Sequence, residues 1–360
     1  EVYGPVEDTN GPNPAVVGVW PSKNLDGWRM SAALTYLNPM RHRLNLTVRG
    51  GVLVRKVLIE GGKAVGVEAE SGGEVFSIEA DRVVLSAGAL KSPHLLMLSG
   101  IGPKDQLEEF GIPVIHDLPG VGQNLMNHLS AQVTFKVKDG LSLHGDMDAV
   151  HFGLHYTAEG STEVNDMLLR TTPMVDERPE RVPGLRTKFL NDGIPADRVA
   201  RLSVTLGLPD GSGYVKLASA DPSVQPTFNY RYLQHPNDKR RVRDGIRKAV
   251  GFIESDAYKN VCDQRLHPVD DILNNDDALD LYISQTVGTA RHVSGTCKMG
   301  PDSDPMAVVD QYCSVKGVEG LSVVDASIKP KITRSGGSHA TVLMMAERAV
   351  EFIARVEAKV

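Results

Sequence analysis

Two of the eleven histidines stand apart from the others by their surroundings. His292, in His292-Val-Ser-Gly-Thr-Cys-Lys-Met-Gly300, and His339, in Ser338-His-Ala-Thr341, lie in turns rich in Gly, Ser and Thr rather than on an apolar face. Imidazole exchanges a proton near neutral pH, so each is a candidate general base or acid. The spacing by itself equally allows two ordinary polar turn residues. Asp325-Ala326 follow an apolar run and read as an Asp-initiated turn or a helix cap. His151 and His155 are spaced i, i+4, but no third ligand motif accompanies them and no metal site is expected. Cys262, Cys297 and Cys313 are too few and too unevenly spaced for a disulfide framework or a zinc site, and Cys297 reads as a small buried residue. Gly120-Val-Gly122 is not a dinucleotide fingerprint, because the third glycine is missing and no strand feeds it. Lys239-Arg240-Arg241 reads as a solvated helix face rather than a phosphate site.

The elements that must position these residues are legible in outline. Asp81-Arg-Val-Val-Leu-Ser-Ala-Gly88 is a continuous apolar run ending at a small-residue turn, the pattern of a buried parallel strand feeding a helix. Ser92-Pro93 reads as the start of that helix. Leu321–Ser327 repeats the strand-to-turn pattern. Between residues 44 and 79, alternating segments (Leu44–Arg49, Val52–Glu60, Ala64–Glu70, Val75–Glu79) are punctuated by Gly61-Gly62 and Ser71-Gly72-Gly73 and predict an antiparallel meander. Pro236–Glu254 places Val242, Ile246, Val250 and Ile253 on one helical face, and Ala340–Ala358 is a second amphipathic helix. Ligands sit at the carboxyl ends of parallel strands in α/β proteins. The two strand-to-turn elements flank a long irregular middle, so the expected architecture is a split domain with a second domain inserted between its halves.

Composition bounds the rest. The 360 residues are 41% hydrophobic and 23% charged, an ordinary globular balance with room for two domains. The 39 basic residues against 45 acidic give a net charge of −6, which argues against a nucleic-acid partner. The longest apolar runs are far short of the ~20 residues that span a bilayer, so no transmembrane segment is expected.

The segment Gly88-Ala-Leu-Lys-Ser-Pro-His-Leu-Leu-Met-Leu-Ser-Gly-Ile-Gly102 matches all fixed positions of the second signature of the glucose–methanol–choline (GMC) oxidoreductases. The resemblance extends to Asn45–Arg49, Ala64–Glu68, Pro119–Leu125 with His128, Gly211–Leu217, His292–Gly300, Gly320–Ser327 and Ser338–Thr341, in the family's order. Asn127 departs from the pattern, standing where Asp is usual.

The resemblance implies an FAD-dependent oxidoreductase acting on the CH–OH group of a primary or secondary alcohol, closest in motif to the choline-dehydrogenase-like branch. It implies a mixed α/β fold: part of a Rossmann-like FAD-binding domain at 1–130 and 291–360, with a substrate domain on an antiparallel sheet at 131–290. His292 would be the general base and His339 the second hydrogen-bonding partner. Val54, Asp325, Ala326, Ala340 and Thr341 would approach the FAD. The partners implied are an alcohol and O2 or another electron acceptor. A hydroxynitrile-lyase-type flavoprotein and a flavin-free remnant are the alternatives. The family's Gly-x-Gly-x-x-Gly segment has no match, so the chain is expected to be the C-terminal piece of a longer polypeptide, dependent on an N-terminal FAD-binding segment. The few cysteines lean towards the cytoplasm.

Overall fold

A computed structural model describes residues 4–5, 16–19, 24–26, 28–141, 152–173, 194, 198–334 and 338–357. The fold is mixed α/β. It divides into two compact units, one formed by residues 1–51, 131–205 and 241–287, the other by 52–130, 206–240 and 288–360.

In the second unit the meander consists of Leu53–Glu60, Lys63–Ser71 and Glu74–Glu79, all antiparallel. Its two hairpin turns are Gly61-Gly62 and Gly72-Gly73, and all four glycines have positive φ. Two consecutive residues at φ > 0 is the turn geometry whose twist matches paired strands, and only glycine adopts it without strain. The two strand-to-turn elements meet as a parallel pair, with Leu321, Ser322 and Val323 opposite Val83, Val84 and Leu85. Their carboxyl ends therefore emerge side by side, one into the helix Gly88–Leu98 and the other into the Asp325 turn. Leu96, Met97, Ile101, Val121, Leu125, Leu321 and Val323 form the buried core around them.

That helix begins at Gly88 rather than at Ser92, so Pro93 lies inside it. Proline cannot donate to the carbonyl one turn back, which leaves the Ala89 carbonyl without its helical partner. The Thr296 hydroxyl donates to that carbonyl at 2.6 Å. Leu44–Arg49, expected as a strand, carries no regular element, and Leu44 is fully exposed. Alternation stabilises a strand only when another strand pairs with it.

The first unit is built on a sheet ordered Gly4–Pro5, Val16–Val19, Phe152–Tyr156, Met167–Pro173, Val199–Leu206, Leu129–Val137, Cys262–His267. Most pairings whose register is defined are antiparallel, as for Leu154 with both Leu169 and Val17. The helix Pro236–Ile253 buries Val242, Ile246, Ala249, Val250 and Ile253. A Cβ at Gly245 would fall 2.5 Å from Val204, so glycine sets how closely helix and sheet approach.

Arg241 corrects the sequence reading of its charge run. It is 1% exposed and donates to the equally buried Asp166 at 2.6 Å, while Asp166 also accepts the Ala158 N–H at 2.8 Å. His151 lies outside the described residues, and His155 is buried on the strand Phe152–Tyr156. No helix among the described residues is long and apolar enough to cross a membrane.

Candidate active site

The loop carrying His292 is tied down from three sides, all within the second unit. Met126 and Ser294 exchange backbone hydrogen bonds at 2.9 and 3.0 Å, and the Ala290 N–H donates to the His128 carbonyl. The His292 N–H donates to Asn127 Oδ1 at 2.8 Å, while Asn127 Nδ2 donates to Thr289 Oγ1 at 2.6 Å. Asparagine can accept on one side and donate on the other, which aspartate cannot. Further along, the Gly295, Cys297 and Met299 N–H groups donate to the carbonyls of Ala326, Ser327 and Ile328. The His292 loop is thereby laced to the turn that follows the second parallel strand. Gly295 is required there, because it has φ +93° and a Cβ would lie 2.4 Å from the Asn124 carbonyl oxygen.

The ring of His292 meets a second imidazole that sequence reasoning placed in a family loop without a role. His128 Nδ1 lies 2.9 Å from His292 Nδ1, and the rings cross edge-on at 83°. On its other side, His128 Nε2 is 3.0 Å from the Gly207 carbonyl oxygen and 2.9 Å from that of Thr333. Carbonyl oxygens only accept, so His128 Nε2 carries a proton and donates to them. His128 is fully buried, and burial, followed by the neighbouring His292, pushes its pKa down to about 4. It is neutral at pH 7, with its lone pair on Nδ1. The 2.9 Å contact then requires His292 Nδ1 to donate. Neutral His292 is thus held as the Nδ1–H tautomer, with the basic lone pair on Nε2.

Asp325 is 6% exposed and accepts three hydrogen bonds: from the Gly88 N–H at 2.8 Å, the Ser92 hydroxyl at 2.5 Å and the Ser327 N–H at 2.7 Å. It caps its own turn and clamps the end of the other parallel strand. Ala326 is half-buried beside it, its carbonyl engaged by Gly295. His339, Ala340 and Thr341 stand in the first turn of the C-terminal helix Ser338–Glu357. The Thr341 hydroxyl donates to the Ser338 carbonyl at 2.9 Å and accepts from Lys329 Nζ at 2.7 Å. Val54 sits on the meander, paired with Ala69. Cys297 is wholly buried, and burial pushes its thiol pKa up, away from reactive thiolate. The described cysteines are free.

Sequence reasoning singled out His292 and Asp325 as candidates but did not foresee the bond from His292 to His128, nor the buried Lys329. Asn127-His128 directly after the Gly120–Leu125 loop was the available signal for the first. A histidine 164 positions from its partner gives no local pattern.

Profiles described as GMC oxidoreductase match residues 5–130 and 209–346. The chain is 37% identical over 341 residues to an oxygen-dependent choline dehydrogenase of Photobacterium profundum, a match covering 91% of this chain and 59% of that protein. It is 36% identical over 363 residues to the mitochondrial choline dehydrogenase of Homo sapiens, covering 98% and 61%. Among solved structures, pyridoxine 4-oxidase from Mesorbium loti superposes with a TM-score of 0.80 at 28% identity, covering 91% of this chain and 62% of that one. The chain spans about three fifths of the length of these curated relatives. Both profiles, the relatives and the shared fold lead to one assignment: the chain belongs to the GMC oxidoreductase family.

Proposed function

We propose that this protein is an FAD-dependent oxidoreductase that oxidises the CH–OH group of a primary or secondary alcohol. The supporting observation is the tautomer lock on His292. A base that must take a hydroxyl proton needs its lone pair held at one known atom, and the His128 bond leaves it on Nε2. The curated relatives named choline dehydrogenase agree in reaction class.

The residues present suit the cofactor. The parallel strand pair ends in an open shelf where Ser86 and Ala87 are exposed. Gly88 there has φ +80° with no atom within 4 Å of where a Cβ would stand. Asp325, Ala326 and the first turn of the C-terminal helix are the residues that would hold FAD, with Val54 contributing from the meander. When bound, FAD supplies the acceptor for the hydride leaving the alcohol carbon, and O2 or another acceptor later takes the electrons.

In this reading, the alcohol hydroxyl proton passes to His292 Nε2 while His339 hydrogen-bonds the same oxygen. Neutral His128 holds the imidazolium by accepting from Nδ1–H. Asn127 fixes the backbone of His292, so the ring cannot drift from the reacting oxygen. Anaerobic mixing of the flavin-loaded protein with a panel of alcohols tests the proposal. Bleaching of the yellow chromophore by at least one of them is expected. Yellow protein that no alcohol bleaches, but that cleaves cyanohydrins, would replace it with a non-redox reaction.

A further inference from the structure

Thr289 ends the short strand Gly288–Thr289, opposite Leu129 and just ahead of His292. Its Oγ1 accepts from two donors at once, the Arg291 N–H at 3.0 Å and Asn127 Nδ2 at 2.6 Å. Asn127 Oδ1 in turn accepts the His292 N–H at 2.8 Å. The Ala290 N–H is already on the His128 carbonyl, so the successive main-chain donors of residues 290, 291 and 292 are held by His128, Thr289 and Asn127. The Thr289 hydroxyl closes a ring, because it touches both the chain beside His292 and the side chain that grips that chain. Main-chain N–H groups only donate, so Asn127 must turn Oδ1 to His292 and Nδ2 to Thr289. Both lone pairs of Thr289 Oγ1 are then taken. Its own proton turns to the Tyr230 hydroxyl, which interacts with Thr289 and Asn127 and belongs to a ring stacked on Tyr232 at 4.8 Å. A second, independent observation marks the same turn. Arg291 has φ +63°, in the left-handed region that glycine, asparagine and aspartate enter and a long side chain seldom does. Such a conformation persists only where neighbours hold it, and it collects at functional sites. The bond from the Arg291 N–H to Thr289 Oγ1 spans this bend. Without it, Arg291 returns to ordinary φ and swings the His292 N–H away from Asn127.

We propose that Thr289 is a positioning residue for the reaction: its hydroxyl binds the left-handed turn at Arg291 to the Asn127 amide and so fixes the main chain that carries the His292 ring. His128 settles which nitrogen of that ring is basic, but a ring still moves with its own Cα. Thr289 removes that freedom, and a base held in one place spends less of its encounter with the hydroxyl on finding the right orientation. Thr289 itself touches neither the substrate nor the ring, and acts only through Asn127 and Arg291. The inference deepens the alcohol-oxidation reading and rests on it for the meaning of a lost rate.

The test uses Thr289→Val, which keeps the branched shape and loses the hydroxyl, and Thr289→Ser, which keeps the hydroxyl. In the flavin-loaded protein, mixing with an alcohol without oxygen gives the limiting rate of flavin reduction and the alcohol concentration at half that rate. Amide hydrogen exchange over residues 290–292, read by mass spectrometry, needs no turnover. In the Val variant the limiting rate should fall about tenfold or more, for two hydrogen bonds lost, while the half-rate concentration stays within about threefold. Exchange over 290–292 should quicken by about tenfold or more in the same variant. The Ser variant should stay within about threefold of wild type in all of these. A rate lost without a change in the half-rate concentration is the mark of a misaimed base, and general weakening of the fold does not give it. A Val variant with unchanged rate or unchanged exchange overturns the proposal. So does a Ser variant as slow as Val, or a Val variant that fails to fold or whose half-rate concentration rises as its rate falls. Wild type that no alcohol reduces removes the alcohol-oxidation reading instead. Quicker exchange in the Val variant but not in the Ser variant then keeps Thr289 as the clamp on His292, and equal exchange overturns that too.

Discussion

Replacing His128 separates its two hydrogen-bonding jobs. In His128→Gln, the side-chain amide reaches the position of Nε2 and keeps donating to the Gly207 and Thr333 carbonyls, but nothing accepts from His292 Nδ1–H. In His128→Asn, Oδ1 stands near the position of Nδ1 and accepts from His292, while the bonds to the two carbonyls are given up. A donor left unsatisfied in a buried site costs about 1–3 kcal/mol. That bias against the competent tautomer corresponds to about 5- to 150-fold at 1.4 kcal/mol per factor of ten. Rapid mixing of each flavin-loaded variant with an alcohol, read at the flavin band, should therefore show His128→Gln slower by about that factor. His128→Asn should stay within about tenfold of wild type. Nitrogen-15 spectra of the histidine rings give a readout independent of turnover, with His292 as the Nδ1–H form in wild type and in His128→Asn. If His128→Asn proves the slower of the two, His128 serves only to join the carbonyls of Gly207 and Thr333, and the tautomer argument fails.

Acid should destabilise the protein through buried histidines. Burial holds both His128 and His94 at about 4, below the ordinary value of 6.5. Between those values the unfolded chain binds more protons, so stability is full above pH 6.5 and falls as pH drops towards 4, by up to about 1.4 kcal/mol per pH unit for each ring. Urea unfolding at pH 7, 5.5 and 4.5 measures this, and a flat profile would contradict the burial of both rings. Asp166→Asn removes the buried carboxylate that Arg241 Nη1 donates to and should cost about 3–5 kcal/mol in the same assay; a loss below 1 kcal/mol would mean water reaches the pair. Asp325→Ala removes a carboxylate accepting from Gly88, Ser92 and Ser327, and should lower stability by about 3 kcal/mol or more and weaken FAD retention together. Gly295→Ala forces a side chain into φ +93° against the Asn124 carbonyl and should destabilise by about 1–3 kcal/mol from backbone strain alone. A variant as stable as wild type would show that the loop can relax.

Features written into contiguous residues were legible before any coordinates. The strands Val83–Leu85 and Leu321–Val323 announce themselves as apolar runs ending in small residues, and Gly61-Gly62 and Gly72-Gly73 mark the hairpin turns of the meander. Apolar spacing in the helix Pro236–Ile253 named its buried face. What escaped depends on partners distant in sequence. Leu44–Arg49 alternates like a strand but pairs with no strand among the described residues. Arg241 sits in a charge run typical of a solvated face, yet Asp166, 75 positions away, makes its burial tolerable. The helix at Gly88 starts ahead of Ser92 because Asp325, from the other end of the chain, binds both the Gly88 N–H and the Ser92 hydroxyl. His128 likewise acquires its role only when folding brings it to His292.

The most direct test of the account is the rate at which an alcohol reduces the bound flavin without oxygen, in wild type and in His292→Ala. If His292 Nε2 takes the hydroxyl proton, the variant keeps FAD and its fold but loses at least ~100-fold in that rate. Equal rates in the two proteins would contradict the account and remove His292 from the chemistry.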